Sequence, residues 1–370
     1  METYLEEQTV SSYHDFSLAQ KKVIVIIPKV TAVLSLWGSF YIIYDIFRSY
    51  RGDRDDTTNV KVYHRILLAL SISDCVLSFS SYFMNSWLIP KDIKEGDYFW
   101  GHIGTRETCM AQGFLTQLGS ICSLLYTALL SIYFLLFIKY KWEEHQFRKI
   151  EPFVHGSILI YAIISATVPL LKNLYNPEIS FCWIQSYPYK CDTDENIECI
   201  YGEDILMYRI IFFILPSSCA FTTITICMTT LCIHTHNQIK RIRRFSRSLS
   251  VESEENYRQN CSVRKLVFKK AVKYILAFIV VWFPSIIFAL SFSDNTSYVF
   301  IIYTIAVVTG PLQGYWNALI YANVGPYEFL LKSLEIFRCD KSSRLGSCLK
   351  NDPELETQEK EITPTESLQA

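Results

Sequence analysis

Charge is what this sequence has least of. Of its 370 residues 19% are charged and 50% are hydrophobic, and the formal net charge is −1. A balance so near zero gives no sign of a nucleic-acid partner. No Cys/His spacing suggests a zinc site. An enzyme would need a cluster of metal ligands or a nucleophile–base pair at one depth. Here His155 stands alone at the edge of an apolar run, and His234 and His236 lie in a basic stretch. No catalytic residue, metal or cofactor is therefore expected. The last long apolar run, Tyr298 to Tyr321, contains no lysine, which excludes a retinal Schiff base. No internal repeat is visible, so a transporter built from duplicated halves gains no support. The first 22 residues hold no apolar core, so no cleavable signal peptide is expected and the first apolar run would serve as the targeting signal.

What is present is seven long apolar runs. They are Val23 to Phe47, Val62 to Ile89, Thr108 to Ile138, Pro152 to Leu171, Ile205 to Ile233, Leu266 to Ser291 and Tyr298 to Tyr321. About 20 mostly apolar residues span the ~30 Å core of a bilayer as a helix, and each run reaches that length. The expected fold is an all-α membrane protein, a seven-transmembrane helix bundle over residues 23–321. A short N-terminus (1–22) precedes it. Pro326 to Phe337 mixes Phe329, Leu330, Leu334 and Phe337 with Lys332 and Glu335, so residues 322–340 are expected to lie as a short amphipathic eighth helix on the membrane surface. Residues 341–370 are polar and expected to be disordered.

Basic residues accumulate in cytoplasmic loops. The loops after runs one, three and five carry Arg48, Arg51, Arg54 and Lys61, then Lys139, Lys141, Arg148 and Lys149, then Lys240, Arg241, Arg243, Arg244, Arg247, Arg258, Arg264 and Lys265. The other loops carry Lys91, Lys94, Arg106, Lys172 and Lys190, so the count is sixteen against five. This places the chain in the plasma membrane with its N-terminus extracellular and its C-terminus cytoplasmic. Four of the twelve cysteines, Cys109, Cys182, Cys191 and Cys199, then fall on the outer side, where thiols pair stably. Four cysteines allow three pairings; Cys109 with Cys182 and Cys191 with Cys199 is favoured, because the first bridge would tie the loop to the third helix. Cys75, Cys122, Cys219, Cys227 and Cys232 read as apolar packing residues. Cys339 follows the amphipathic segment and is a candidate for palmitoylation.

Ionisable groups inside a span are expensive and usually functional. Asp74 lies mid-span in Leu70-Ser-Ile-Ser-Asp74. Gln313, Asn317 and Tyr321 follow at four-residue steps and share one helix face. Gly310, Gly314 and Ala318 form a second stripe, suited to close helix approach. Span six contains Trp282-Phe283-Pro284, where Pro284 would kink the helix beneath a bulky aromatic. These residues point to a buried polar cluster between helices two, three and seven that rearranges as a switch. Lys29, Lys172 and Arg209 lie near the outer ends of spans and are expected to snorkel to headgroups.

The constellation resembles the G-protein-coupled receptors, specifically the cyclic-AMP-receptor-like family, with a more distant likeness to secretin and adhesion receptors. The matching pieces are Leu70-Ser-Ile-Ser-Asp74, Cys109-Met-Ala-Gln-Gly-Phe114, Leu125-Tyr-Thr-Ala128, Cys182-Trp-Ile184, Trp282-Phe-Pro284 and Gln313-Gly-Tyr-Trp-Asn317 with Tyr321. The resemblance implies a receptor that senses an extracellular ligand and opens its cytoplasmic face to a heterotrimeric G protein. Cys109 and Cys182 look like the family disulfide. Ser123 lies fourteen residues after Cys109, where many receptors place a hydroxyl facing the acid of span two, so Asp74, Ser123 and Asn317 form the candidate switch. Asn317 to Tyr321 keeps the spacing of Asn-Pro-x-x-Tyr, but Ala318 replaces the proline. The Asp-Arg-Tyr motif of rhodopsin-like receptors is absent, and span three ends in Phe137-Ile-Lys-Tyr-Lys141.

The resemblance favours a G-protein-docking role for a basic face of Lys139, Lys141, Arg241, Arg243, Arg244, Lys269 and Lys270. Ser246, Ser248 and Ser250 stand among arginines as substrates for a basic-directed kinase, and phosphate there would cancel part of the charge. Thr357, Thr363, Thr365 and Ser367 are further candidate phosphosites. Asn295-Thr-Ser297 is a glycosylation sequon on the outer side; Asn260-Cys-Ser262 faces the cytoplasm. The alternative reading is a multi-pass transporter or channel, which would need several intramembrane charges along a path.

Overall fold

The structure is a computed structural model describing residues 16–52, 61–93, 99–188, 191, 198–202, 204–245, 269, 272–274, 276–285, 287, 296–326 and 328–329, with backbone alone at 51–52, 239–245 and 296. Among the described residues seven helices follow one another. They are α1 (Leu18–Gly52), α2 (Val62–Leu77), α3 (Arg106–Ile138), α4 (Glu144–Leu171), α5 (Ile205–Arg209, Ile210–Ile214 and Leu215–Phe245), α6 (Val272–Ser285) and α7 (Thr296–Thr309, Gly310–Leu312 and Gln313–Ala322). Two short strands, β1 (Tyr175–Pro177) and β2 (Cys182–Ile184), form an antiparallel hairpin between α4 and α5. Among the described residues six helices are long and apolar enough to cross a membrane, and α6 adds a shorter apolar stretch. Helices suit such sequences because an unpaired backbone group in hydrocarbon costs several kcal/mol.

α3 is the axis of the bundle. Two thirds of its most apolar stretch (67%) is buried, against 22% for α5. Leu124, Tyr126, Leu130 and Phe134 of α3 share one core with Leu67 and Leu70 of α2, Ile224 and Met228 of α5, and Tyr274 and Phe278 of α6. The outward faces of α1 and α4 expose Ile26, Val30, Val33, Ile160, Ile163 and Ile164. A contiguous apolar surface of this kind is costly in water and favourable against lipid tails.

Helix ends are satisfied by side chains. At the start of α3 the Thr105 hydroxyl accepts the Thr108 N–H (3.4 Å), and the Thr105 N–H donates to the Thr108 hydroxyl (2.8 Å), a reciprocal cap for two orphan donors. The first N–H of α2, on Val62, donates to the Glu144 carboxylate at 2.5 Å. One helix is thus capped by the first turn of another. α7 stops at Asn323, whose left-handed backbone (φ 53°) ends the hydrogen-bond ladder.

Three spans expected as continuous helices are interrupted. In α5 Pro216 has no N–H to offer the Phe212 carbonyl four residues back. The chain widens to a π-turn at Ile210–Ile214, and Gln117 of α3 donates its side-chain N–H to that carbonyl at 2.9 Å. In α2 a π-helical Ser78–Met84 leads to a 3-10 turn at Asn85–Leu88. Asn85, at positive φ, donates to the Val25 carbonyl of α1 (2.8 Å). α7 tightens to a 3-10 turn at Gly310–Leu312, with Pro311 inside it.

The small-residue stripe of α7 faces α1. A Cβ on Gly314 would stand 2.8 Å from the Ser35 hydroxyl and 2.9 Å from the Ser35 carbonyl, and a Cβ on Gly38 would stand 2.7 Å from the Gly314 carbonyl. Past α7, Phe329 is buried against Tyr41 (4.9 Å) and Tyr315 (6.0 Å), so the start of the amphipathic segment is pinned to α1 and α7. The segment beyond 329, with Leu330, Lys332, Leu334, Glu335, Phe337 and the palmitoylation candidate Cys339, lies outside the described residues. So do the candidate phosphosites Ser246, Ser248, Ser250, Thr357, Thr363, Thr365 and Ser367, the asparagines Asn260 and Asn295, and Lys270.

In a thermal melt of the solubilised protein, Gly314→Ala should cost about 1–3 kcal/mol through overpacking against α1. Gly156→Ala, with open space at its Cβ, should instead be neutral or stabilising by up to about 1 kcal/mol. Equal effects at the two positions would contradict the close α1–α7 approach.

Candidate functional site

Asp74 is buried in the middle of the bundle, 2% exposed. Both of its carboxyl oxygens accept hydrogen bonds. Ser123 of α3 donates to one at 2.6 Å, and the Asn317 amide of α7 donates to the other at 2.9 Å. Three helices therefore meet on one carboxyl group. The Gln313 amide, one turn before Asn317 on α7, donates to the Thr127 hydroxyl, one turn after Ser123 on α3 (3.0 Å), and its carbonyl accepts the Trp282 indole N–H of α6 (2.7 Å). Thr127 in turn donates to the Ser123 carbonyl at 2.8 Å. A continuous chain of polar contacts thus runs from Asp74 through α3 and α7 to Trp282. In a low-dielectric interior such a network is strong while complete and costly when one member is lost.

Beside this network lies a cavity of about 10 Å³ lined by Thr127, Ser131, Phe134, Tyr274, Gln313 and Asn317, among others. That is room for about one water. Among the described residues no group of three His, Cys, Asp or Glu gathers to hold a metal ion.

The hairpin closes one end of the bundle. Cys109 of α3 is bridged to Cys182 of β2, with Cα atoms 5.3 Å apart, and Cys191 is bridged to Cys199. Gln112 of α3 is fully buried; it donates to the Ser80 and Asn85 carbonyls (both 2.8 Å) and accepts the Cys182 N–H (2.8 Å). Gln117 accepts the Trp183 indole N–H at 2.9 Å. Tyr175 donates to the Ala166 carbonyl of α4, and burial pushes its phenol above the ordinary value. Ser180 meets Tyr303 of α7 at 2.9 Å. Arg209 of α5 donates to the Ile184 carbonyl (2.9 Å) and to the Gln185 side chain, and lies over the Trp183 ring. The hairpin is thereby stitched to α3, α4, α5 and α7 at once.

Several expectations need correction. Tyr321 does not join the Asp74 cluster; its hydroxyl donates to Asp45 of α1 at 2.7 Å. Gln313, Asn317 and Tyr321 lie on one continuous helix, Gln313–Ala322, but each four-residue step drifts about 40° around a helix of 3.6 residues per turn, so the last of them faces α1. Lys29 does not snorkel: its ammonium donates to the Phe83 carbonyl (2.7 Å) and sits 3.5 Å from the Trp87 ring centroid. It meets the carbonyls exposed where α2 unwinds. Arg209 holds the hairpin instead of reaching for headgroups. His155 is not alone, since its Nδ1 lies 3.0 Å from the Tyr126 hydroxyl and its Nε2 3.5 Å from Glu151, which also pairs with Arg65. Cys122 and Cys227 are buried, but Cys219 and Cys232 face outward. Pro284 falls in the last described turn of α6.

At the end opposite the hairpin, Lys139 and Lys141 follow α3, Lys141 at positive φ, and Lys269 is exposed near α6. Arg241, Arg243 and Arg244 ride on the last turns of α5, where the backbone alone is described.

With this geometry in hand, comparison with known proteins is informative about the fold. No family model matches the chain, and no curated protein matches it. Among solved structures, squid rhodopsin matches with a TM-score of 0.62 over 95% of this chain and 95% of its own, at 15% sequence identity. The fold is a rhodopsin-like seven-helix bundle. The chain is a multi-pass membrane protein with two disulfides at one end. The interior that carries its polar chain is built from its own residues.

Cys109→Ser should cost about 2–5 kcal/mol in thermal stability. Cys191→Ser should cost less, because that bridge spans 8 positions of sequence against 73 for the first. The reverse ranking would mean that the hairpin, and not the bridge, carries the end of the bundle.

Proposed function

We propose that this chain is a G-protein-coupled receptor that senses an extracellular ligand at the hairpin end and activates a heterotrimeric G protein at the opposite end. The observation that carries this reading is the unbroken polar chain from Trp282 through Gln313, Thr127, Ser123 and Asn317 to Asp74. It couples α2, α3, α6 and α7 at mid-depth, and the hairpin is tied to the same α3 by Cys109, Gln112 and Gln117. A ligand that displaces the hairpin shifts α3. The polar contacts then exchange partners, and the far ends of the helices move. Energetically this needs only a ligand that binds the two arrangements differently.

The positive-inside count supports an extracellular hairpin and a cytoplasmic basic face. Lys139, Lys141, Arg241, Arg243, Arg244, Lys269 and Lys270 then form the surface offered to the G protein. The motif resemblance supports the cyclic-AMP-receptor-like family within this class. No ligand follows from it, and the acidic hairpin loop, with Glu178, Asp192, Asp194, Glu195, Glu198, Glu203 and Asp204, disfavours a purely anionic one. A transporter would present several charges along a path, whereas both oxygens of the carboxyl at mid-depth are taken up by Ser123 and Asn317.

The test is nucleotide exchange on a panel of purified heterotrimers by the full chain in nanodiscs, with a library of extracellular metabolites and peptides as ligands. An active ligand should lose at least about fivefold in efficacy with Asp74→Leu, because each orphaned partner costs about 1–3 kcal/mol. Solute flux in vesicles with no exchange on any heterotrimer would make the chain a transporter instead.

A further inference from the structure

At the basic end the described residues contain no ion pair between α3 and α6. α3 ends in Ile138, Lys139 and Tyr140 without an acid–base motif. Among the described residues two side-chain hydrogen bonds hold α6 at this end. Lys273 of α6 donates to the Asn323 side chain after α7 at 3.1 Å, but that pair is exposed, and exposed polar contacts are worth little. The other is part-buried. The hydroxyl of Tyr274 on α6 lies 3.0 Å from the hydroxyl of Tyr63 on the first turn of α2. Tyr274 is 5% exposed, and its ring stacks on Phe134 of α3 at 6.0 Å. Tyr63 packs on Phe134 (6.0 Å) and Tyr133 (6.2 Å) of the same helix. Tyr274 also lines the small cavity that reaches Asn317 and Gln313. The hydroxyl pair therefore bridges α2 and α6 across the end of α3, directly beneath the Asp74 network.

We infer that Tyr63 and Tyr274 form the latch that keeps α6 closed. The inference rests on the receptor reading for its meaning, but not for its geometry. While the two hydroxyls satisfy each other, neither is an orphan in an apolar interior. When one is removed, the other loses its partner in a largely apolar setting, which is costlier than removing both. The orphan is relieved if α6 swings outward and the hydroxyl meets water. The two tyrosines are positioning residues: they touch no ligand, and they set the resting balance between closed and open arrangements.

This signature is unusual and can be read directly. The full chain in nanodiscs would carry spin labels at positions 140 and 269, at the ends of α3 and α6, with no ligand added. The population of long inter-label distances should rise about fivefold in Tyr63→Phe and likewise in Tyr274→Phe, the size of one net hydrogen bond. The double substitution should be no more open than either single one. Unchanged distances in both single variants would overturn the latch. So would a double variant open by the product of the two single effects, because the hydroxyls would then be acting independently. Basal nucleotide exchange on the heterotrimer panel, measured on the unlabelled variants, separates the two claims. Longer distances without exchange on any heterotrimer would refute the receptor reading and leave the latch standing. Exchange that rises without a change in distance would refute the latch and leave the receptor reading.

Discussion

A carboxyl group in the interior of a membrane bundle is a liability until both of its oxygens are satisfied. In this protein Asp74 is satisfied from two sides, by a hydroxyl on α3 and an amide on α7. The register of three helices follows from that requirement. α7 cannot slide along α3 without breaking the Asn317 contact, and α3 cannot rotate without withdrawing Ser123. Close packing of Gly38 and Gly314 sets the distance between α1 and α7, but the carboxyl sets which residues face inward. Hydrophobic burial cannot supply that choice, since lipid and core are equally apolar and helix association depends on packing and interhelical hydrogen bonds.

The same logic recurs where α5 and α2 depart from a regular helix. There the departures free carbonyls, and side chains donate to them. Pro216 leaves Phe212 unpaired and Gln117 answers it. The unwound end of α2 exposes the carbonyls of Ser80, Phe83 and Asn85, and Gln112 and Lys29 answer them. These side chains do two jobs. They satisfy the backbone, and through Cys182 and Trp183 they bind the hairpin to α3. The hairpin end of the bundle is therefore joined to the helix that carries half of the Asp74 contacts.

Much of this was legible in the sequence, because bilayer thickness imposes a length on apolar runs and hydrocarbon tolerates few polar groups. The seven spans, the polar residues Asp74, Gln313 and Asn317, the four paired cysteines and the small-residue stripe could all be read from one line of text. What could not be read depends on backbone geometry. Helical spacing put Tyr321 beside Asn317, but the drift of four-residue steps around a helix of 3.6 residues per turn brings it to Asp45 of α1. Asp45 itself is the lone acid in the first span and deserved the same weight as Asp74. Gln112 and Gln117 gave no local signal, since buried glutamines look like any other polar residue until a proline or π-turn creates their partners. Lys29 and Arg209 depart from expectation for the same reason: long cations at span ends usually reach headgroups, and here a broken helix and a folded hairpin offer closer acceptors.

The measurement that bears most directly on the Asp74 clasp is a double-mutant cycle between Asp74→Ala and Asn317→Ala, read as thermal stability of the chain in nanodiscs. If the two side chains hold α2 and α7 together, the double variant should lose little more than either single one. The coupling energy should then be about 1–2 kcal/mol, at the upper end for interhelical hydrogen bonds in membranes. Strictly additive losses, with a coupling indistinguishable from zero, would mean that the carboxyl and the amide are neighbours without being a clasp.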